Sequence, residues 1–188
     1  MRILDHFDLL APIYEKLIAP PDPGRLIELA DLPVDGFLLD AGGGTGRVSK
    51  VLAEKVSSVV VADLSSRMLQ EAAQKNGLST TCTRTETLPF SDASFERIIM
   101  VDALHHVYDQ RSTILELWRV VKPGGRIVIE EPDVRTLGVK MVALMEKLAL
   151  MRSRFLSPES IADLFYYPNA QKFIKREGIT AWIIVDKA

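Results

Sequence analysis

Residues 38–50, LLDAGGGTGRVSK, constrain the fold more than any other stretch of the chain. An apolar run ends on Asp40 and enters a cluster of glycines, and Val48, Val51 and Leu52 then follow at helical spacing. Glycine lets the backbone turn sharply, so this order is typical of a buried strand that turns directly into an amphipathic helix. We therefore expect it to open a parallel α/β sheet.

The rest of the chain repeats this alternation of strands and helices. Helical patterns begin at Ser65, Asp109 and Ser157, and the first two end at Gly77 and at the KPGG sequence of residues 122–125. The last 19 residues are typical of two antiparallel strands joined about Gly178. Besides residues 36–41, the predicted strands before this hairpin are 57–63, 79–84, 95–102 and 126–131.

These elements predict one domain over residues 1–188. Its expected class is α/β, a Rossmann-like three-layer αβα sandwich whose seven-stranded sheet is mostly parallel and ends in an antiparallel hairpin. A long helical pattern over residues 136–155, rich in Leu and Met, lies between the fifth strand and the hairpin. The segment 136–156 is a candidate substrate cap, and ordinary helix packing is the alternative.

Composition limits the classes of function. The chain has 188 residues and a net charge of −2, so a large nucleic-acid surface is not expected. Its single cysteine, Cys82, falls within a predicted strand, where we expect it to be buried, and it can form neither an internal disulfide nor a multi-cysteine metal site. No signal peptide or membrane span is predicted, so the expected location is the cytoplasm.

The glycine loop favours a ligand without phosphate at this position. A dinucleotide fingerprint needs a third glycine where Arg47 stands, and no Gly-Lys-Ser/Thr follows as a P-loop requires. Asp40, just before the glycines, would repel phosphate and suits a positive group. Asp63 lies 19 residues after Gly44, at the spacing of an acid that binds ribose hydroxyls. The pattern therefore indicates a nucleoside that carries a cation.

Four segments in this order resemble the class I S-adenosylmethionine (SAM)-dependent methyltransferases. They are LLDAGGGTGR, VVVADLSSRML, ETLPFSDASFERIIMVDALHHV and LWRVVKPGGRIVIEEP, and they cover most of residues 38–132. The resemblance is greatest to the branch of ubiquinone and menaquinone C-methyltransferases and related small-molecule methylases. FDLLAPIYE, over residues 7–15, resembles a segment that precedes the fold in that branch.

This resemblance implies SAM as the cofactor and assigns roles to matching residues. Asp40 would lie near the methionine amino group, Asp63 would bind the ribose, and Leu64 would pack on the adenine. Thr85 would contact the adenine edge through its backbone, whereas the acid that the family places beside it is replaced by Arg84. The remaining cofactor residues that the resemblance implies are Gly42, Gly43, Gly44 and Gly46, along the methionine, and Tyr14, closing over the cofactor.

The acceptor side is predicted at VDALHHV, where the fourth strand meets its loop. Ligands of open α/β sheets bind at these carboxyl ends of strands. Asp102, His105 and His106 could orient an acceptor or remove its proton, because imidazole titrates near neutral pH. The alternative is that one histidine caps the next helix and the other is half-exposed.

Three functional hypotheses remain at this point. The first is transfer of a methyl group from SAM to a small molecule by in-line displacement. The Asn/Asp-Pro-Pro-Tyr/Phe motif of many nucleic-acid methylases is replaced here by DALHHV, which favours a small acceptor. The second is a SAM-binding regulatory or partner module without methyl transfer, and the third is a nicotinamide dehydrogenase, which Arg47 disfavours. Neither the acceptor, nor the methylated atom, nor the oligomeric state follows from the sequence.

Overall fold

The structure, a computed structural model, describes residues 23–136, 139–140 and 153–188. Its α-helices are α1 (Pro23–Leu29), α2 (Arg47–Leu52), α3 (Ser66–Ala73), α4 (Gln110–Val120) and α5 (Pro158–Leu164). Its strands are β1 (Phe37–Ala41), β2 (Ser58–Asp63), β3 (Leu78–Cys82), β4 (Phe95–Val101), β5 (Val121–Pro132), β6 (Ala170–Glu177) and β7 (Thr180–Lys187). Short 3-10 turns lie at Ala53–Lys55 and Leu104–His106.

All seven strands form one sheet in the order β3-β2-β1-β4-β5-β7-β6. The first five are parallel to one another, and β7 runs antiparallel to both β5 and β6. The predicted α/β class, with a mostly parallel sheet and an antiparallel terminal hairpin, is thereby confirmed. Because β2 and β4 lie on opposite sides of β1, the strand order reverses beside β1, which is where such sheets open a crevice for ligands.

Alternate residues of the strands enter two apolar layers, one on each face of the sheet. Leu38, Val59 and Ile99 face the layer that contains helices α1, α2 and α3. Leu39 and Ile98, one position away on their strands, face the layer that contains α4 and α5. This alternation makes the three-layer sandwich and fixes which strand residues can reach the site.

The predicted helix starts are confirmed by capping hydrogen bonds. The side chain of Ser65 accepts from the Met68 amide, that of Asp109 from the amides of Arg111 and Ser112, and that of Ser157 from the Ser160 amide. These caps fix where α3, α4 and α5 leave the sheet. None of the helices within the described residues has the length and apolar content that crossing a bilayer requires.

Two predicted boundaries are wrong. Strand β5 does not begin at Arg126, because Val121 already pairs with Phe95 before a register shift in the ladder. The helical pattern predicted to reach Phe155 does not extend that far, since residues 153–157 are not helical. Val139 and Lys140 are helical, and residues 137–138 and 141–152 lie outside the described residues, as does most of the candidate cap.

Two predicted burials are also wrong. Cys82 is exposed, because it ends β3, an edge strand of the sheet. Val51 is 47% exposed, whereas Val48 and Leu52 are buried. Helix α2 has only six residues, so its buried apolar stripe consists of these two side chains and Val51 lies beside it.

Candidate cofactor and acceptor site

A cavity of about 860 Å³ lies at the carboxyl ends of β1, β2 and β4. Its volume is near the upper end of the range for pockets that hold drug-sized ligands. Predicted site residues that line it are Asp40, Gly42, Gly43, Gly44, Asp63, Leu64, Thr85, Asp102 and His106. His105 and Gly46 are not among its lining residues, and Tyr14 lies outside the described part of the chain.

The glycine loop is shaped by two glycines with different surroundings. Gly44 has φ +54° and would have no atom within 4 Å of an added Cβ, so its missing side chain leaves open space in the cavity wall. Gly46 has φ +70°, and an added Cβ would lie 2.7 Å from Leu78 Cδ1 and 3.3 Å from Ala72 Cβ. Gly44 therefore keeps the cavity open, while Gly46 lets the loop pack against α3 and β3.

Asp40 is buried beneath this loop, with 1% exposure. Its Oδ2 accepts a hydrogen bond of 2.7 Å from the hydroxyl of Ser49 on α2. Burial raises the pKa of the Asp40 carboxyl to about 6, against the opposing effect of the Ser49 hydrogen bond. A nearby ligand cation would favour the ionised carboxylate, as the prediction of an ammonium neighbour requires.

Asp63 and Leu64 form the second wall of the cavity, at the end of β2. The carboxylate of Asp63 accepts from the Gly44 amide at 2.9 Å and from the Ser65 amide at 2.8 Å. Its orientation is thus set by the glycine loop and by the first turn before α3. Leu64 is 55% exposed and lines the cavity, so it presents an apolar surface on which a ring could stack.

The third wall contains Thr85 and Arg84. Thr85 is buried, and its hydroxyl shares a hydrogen bond of 2.9 Å with the hydroxyl of Thr113 on α4. Arg84, which replaces the acid of the related family, also lines the cavity. The side chain of Thr85 is therefore engaged with α4, which leaves its backbone as the group available to a ligand.

Asp102 stands where β4 ends, in an unusual backbone conformation. Its φ of 51° places a non-glycine residue in the left-handed region, which costs free energy and is concentrated at functional sites. Its Oδ2 lies 3.6 Å from the guanidinium of Arg47, on the opposite side of the crevice. Burial and the charge of Glu131 raise the pKa of Asp102, and Arg47 opposes that rise.

The two histidines after Asp102 have different environments. His106 lines the cavity, whereas His105 is 5% exposed and its Nδ1 lies 2.6 Å from Glu131 Oε2. Sequence reasoning missed Glu131. The available signal was a second acid at the end of a buried strand, after Glu130 in RIVIEE.

Within the described residues, no group of three or more His, Cys, Asp or Glu side chains is arranged to hold a metal ion.

Most residues that line the cavity fall within a stretch that matches a known protein family. The sequence model of a family described as a methyltransferase domain matches residues 39–129, which include the glycine loop, Asp63 and the Asp102–His106 loop. A demethylmenaquinone methyltransferase of Clavibacter sepedonicus is 31% identical over 159 residues, covering 80% of this chain and 65% of that protein. Residues 39–129 therefore belong to the methyltransferase-domain family.

Other members of the methyltransferase family agree with this assignment. The ubiquinone/menaquinone biosynthesis C-methyltransferase UbiE of Geotalea daltonii is 31% identical over 147 residues, covering 69% of this chain and 63% of that protein. The chain thus spans less than two thirds of the length of both curated relatives. A SAM-dependent methyltransferase from Thermotoga maritima, described as a possible histamine N-methyltransferase, has the same fold, with a TM-score of 0.78, 23% identity and 97% and 98% coverage of the two chains.

The cofactor of this methyltransferase family is S-adenosylmethionine, and the residues present fit it. Open space at Gly44 admits a close ligand, the exposed side chain of Leu64 suits a ring, and the carboxylates of Asp40 and Asp63 suit a cation and hydroxyl groups.

Proposed function

We propose that the protein transfers the methyl group of SAM to a small-molecule acceptor by in-line displacement. One observation carries the proposal: a single cavity is lined both by the glycine loop with Asp63 and by Asp102 with His106. Cofactor and acceptor would therefore meet without crossing bulk water. Alignment of the two reactants and exclusion of water are the main contributions that such a protein makes.

The cofactor half of the proposal uses groups that are already oriented. The sulfonium supplies an activated methyl group when SAM is bound. Asp63 would accept hydrogen bonds from the ribose hydroxyls, in an orientation set by the amides of Gly44 and Ser65. Leu64 would stack on the adenine, Thr85 would bind its edge through the backbone, and Asp40 would lie beside the amino group. We also propose that Tyr14 closes over the cofactor.

We propose that the acceptor is a small cyclic molecule of the quinol or enol type. Curated relatives are named for demethylmenaquinone and for ubiquinone and menaquinone biosynthesis, which supports this class. Val101, Ala103 and Val107 give the acceptor end of the cavity an apolar lining beside the polar side chains of Asp102 and His106. Nucleic acid is not proposed as a substrate, given the net charge of −2.

The segment 136–156 would act as the substrate cap of this cavity. Two of its described residues, Ser153 and Arg154, line the cavity wall. The Arg154 amide donates to the His105 carbonyl at 2.8 Å, which attaches the end of the cap to the loop after β4. We place the enzyme in the cytoplasm, in keeping with its single exposed cysteine.

Calorimetry followed by isotope transfer tests the function. We expect both SAM and S-adenosylhomocysteine to bind, and NAD not to bind. Incubation with methyl-labelled SAM and a metabolite extract, or a reduced demethylnaphthoquinone as a defined probe, should then give a labelled small molecule. Binding of SAM without label transfer to any small molecule would contradict the proposal, as would binding of NAD in place of SAM.

A further inference from the structure

Glu131 is a buried acid outside the cavity that contacts the loop after β4. It lies near the end of β5 and is 3% exposed. Its Oε1 accepts from the Leu104 amide at 2.8 Å and its Oε2 lies 2.6 Å from Nδ1 of His105. A buried carboxylate is costly unless it is fully hydrogen-bonded, and this one bonds both the backbone and the side chain of the same turn.

His105 lies between Glu131 and His106, which lines the cavity. Its ring stacks on Phe155, with centroids 4.4 Å apart and an interplanar angle of 16°, and its centroid lies 3.9 Å from that of the His106 ring. Gln110 Nε2 braces the same turn by donating to the carbonyls of Leu104 and Arg154, at 3.0 and 2.7 Å. The ring of His105 is therefore fixed between Glu131 and His106.

His106 is the member of this group that a ligand can reach, because it lines the cavity. Its Nδ1 shares a hydrogen bond of 3.3 Å with the hydroxyl of Ser153. Burial, together with the charge of the neighbouring His105, lowers the pKa of His106 from 6.5 to about 3. The imidazole of His106 is thus neutral near neutral pH and able to accept a proton.

We propose that Glu131 and His105 are positioning residues that hold His106 as the proton acceptor for the methyl acceptor. This inference rests on the proposed methyl transfer and adds to it the class of acceptor, one that loses a proton as it is methylated. Glu131 fixes His105, and His105 fixes the plane of the His106 ring.

The chemical step balances in atoms and charge. The acceptor atom forms a bond to the methyl carbon while the S–CH₃ bond breaks, and the sulfur keeps the bonding electron pair. The proton of the acceptor moves to a ring nitrogen of His106. The positive charge of the sulfonium thereby reappears as imidazolium, which returns its proton to solvent before the next turnover.

Several charged groups lie near His106, so their titration also contributes to the pH dependence of the activity. Asp102 and Arg47 form an ion pair on the cavity wall. The other titratable or charged side chains that line the cavity with His106 are Asp40, Asp63, Arg84, Glu86, Tyr108, Asp109 and Arg154. Behind them, Glu131 and His105 are the buried pair and Glu130 is the next acid along β5.

Imidazole NMR tests the pair directly, because the chain has only three histidines. In the unmodified protein with S-adenosylhomocysteine, His106 should be neutral at neutral pH. In Glu131→Gln, His105 loses the carboxylate beside its ring and holds a proton less tightly, so its charge acts less on His106 and the titration midpoint of His106 should rise by about one to two pH units. Glu130→Gln is the matched control, since Glu130 is also buried on β5 but accepts from Trp182 Nε1 at 2.7 Å.

Labelled methyl transfer provides the kinetic readout. We expect Glu131→Gln to move the acidic limb of kcat towards higher pH and His106→Ala to lower kcat about 100-fold, both with unchanged affinity for S-adenosylhomocysteine. Identical His106 signals in Glu131→Gln and Glu130→Gln would overturn the inference. So would an unchanged kcat in His106→Ala, an outcome that holds even if Glu131→Gln does not fold. Failure of SAM binding would instead remove the proposed function, and calorimetry detects that separately.

Discussion

Asp63 shows how a single carboxylate links the loop to the ligand. One oxygen receives the amide of Gly44 and the other the amide of Ser65. A carboxylate oxygen can accept more than one hydrogen bond, so the same side chain can contact both the loop and a ribose hydroxyl. The acid therefore both orders the glycine loop and supplies acceptors to the ligand.

Replacing Asp63 by Asn should weaken cofactor binding more than folding. The charge-assisted hydrogen bonds to the ribose are lost, so we expect the affinity for S-adenosylhomocysteine to fall about 10- to 100-fold by calorimetry. Asp35→Asn is the matched control, because Asp35 accepts from the Ser57 hydroxyl at 2.7 Å and does not line the cavity. Equal affinities of the two variants would argue against a ribose contact at Asp63.

Asp40 should make the free energy of unfolding depend on pH. Its pKa of about 6 in the folded chain exceeds the ordinary 3.8, so the folded state binds the proton more tightly. This contribution is fully present below about pH 4 and is lost as the pH rises through about 6, a change of about 3 kcal/mol. Asp40→Asn keeps an oxygen for Ser49 but does not titrate there.

Urea denaturation across this pH range measures the effect. Relative to the unmodified protein, the free energy of unfolding of Asp40→Asn should rise by about 3 kcal/mol between about pH 4 and about pH 7. Two curves that stay parallel over the whole range would show that Asp40 is not the group that titrates.

At the scale of elements, the turn between β1 and α2 combines two demands. It must approach α3 and β3 closely at Gly46, and it must leave the cavity open at Gly44. Both positions have positive φ, so their backbone requirements are alike and only their surroundings differ.

The variants Gly44→Ala and Gly46→Ala should therefore impair different properties, ligand affinity in the first and stability in the second. An alanine at Gly46 meets Leu78 and Ala72, so we expect it to cost about 1–2 kcal/mol more in urea denaturation than an alanine at Gly44. An alanine at Gly44 enters cavity space instead, so it should lower S-adenosylhomocysteine affinity about tenfold. Each variant is the control for the other, and a similar loss of both properties in the two would contradict this division.

The elements could be predicted from the sequence wherever short-range signals decide them. Caps at Ser65, Asp109 and Ser157 follow local rules, and so do the glycine turn and the apolar strands. The start of β5 could not be predicted, because the pairing of Val121 with Phe95 is set by the neighbouring strand. The exposure of Cys82 depends in the same way on β3 lying at the edge of the sheet.

The residues of the candidate site also divide into those that the local sequence predicts and those that depend on distant contacts. Asp40, Asp63 and Asp102 were predicted because each ends a parallel strand, and the carboxyl ends of parallel strands meet at one edge. Glu131 was missed because its partner His105 is 26 positions away, and no local pattern indicates that pairing. His105 and His106 are adjacent in the chain, yet only the structure distinguishes the buried ring from the one on the cavity wall.

For the whole molecule, binding at one edge of the sheet should stabilise the complete fold. The cavity joins β1, β2 and β4 with the loops before α2, α3 and α4, and both core layers include these elements. A ligand held there binds the folded chain only, so its binding free energy adds to the free energy of unfolding.

Thermal denaturation with S-adenosylhomocysteine should report this coupling. At a concentration about 100 times Kd, we expect a gain of about 2.7 kcal/mol, which corresponds to a rise in Tm of roughly 5–11 °C for a chain of this size. NAD at the same concentration is the control and should leave Tm unchanged. An equal rise with NAD would point to a dinucleotide site in place of the one proposed.

The position of β7 between β5 and β6 matters while the chain is being made. Arg126 on β5 bonds to Asp186 on β7, 60 positions later, so a ribosome must add that whole interval before the open side of β5 can be covered. Until then Ile127, Val128 and Ile129 belong to a strand with an unpaired border, the kind of surface that invites wrong pairing with other nascent chains. Slow codons for residues 133–179, or a chaperone bound to that segment, would delay the pairing of β7 with β5. Such a delay would therefore affect the yield of native protein more than the same delay within β1 or β2.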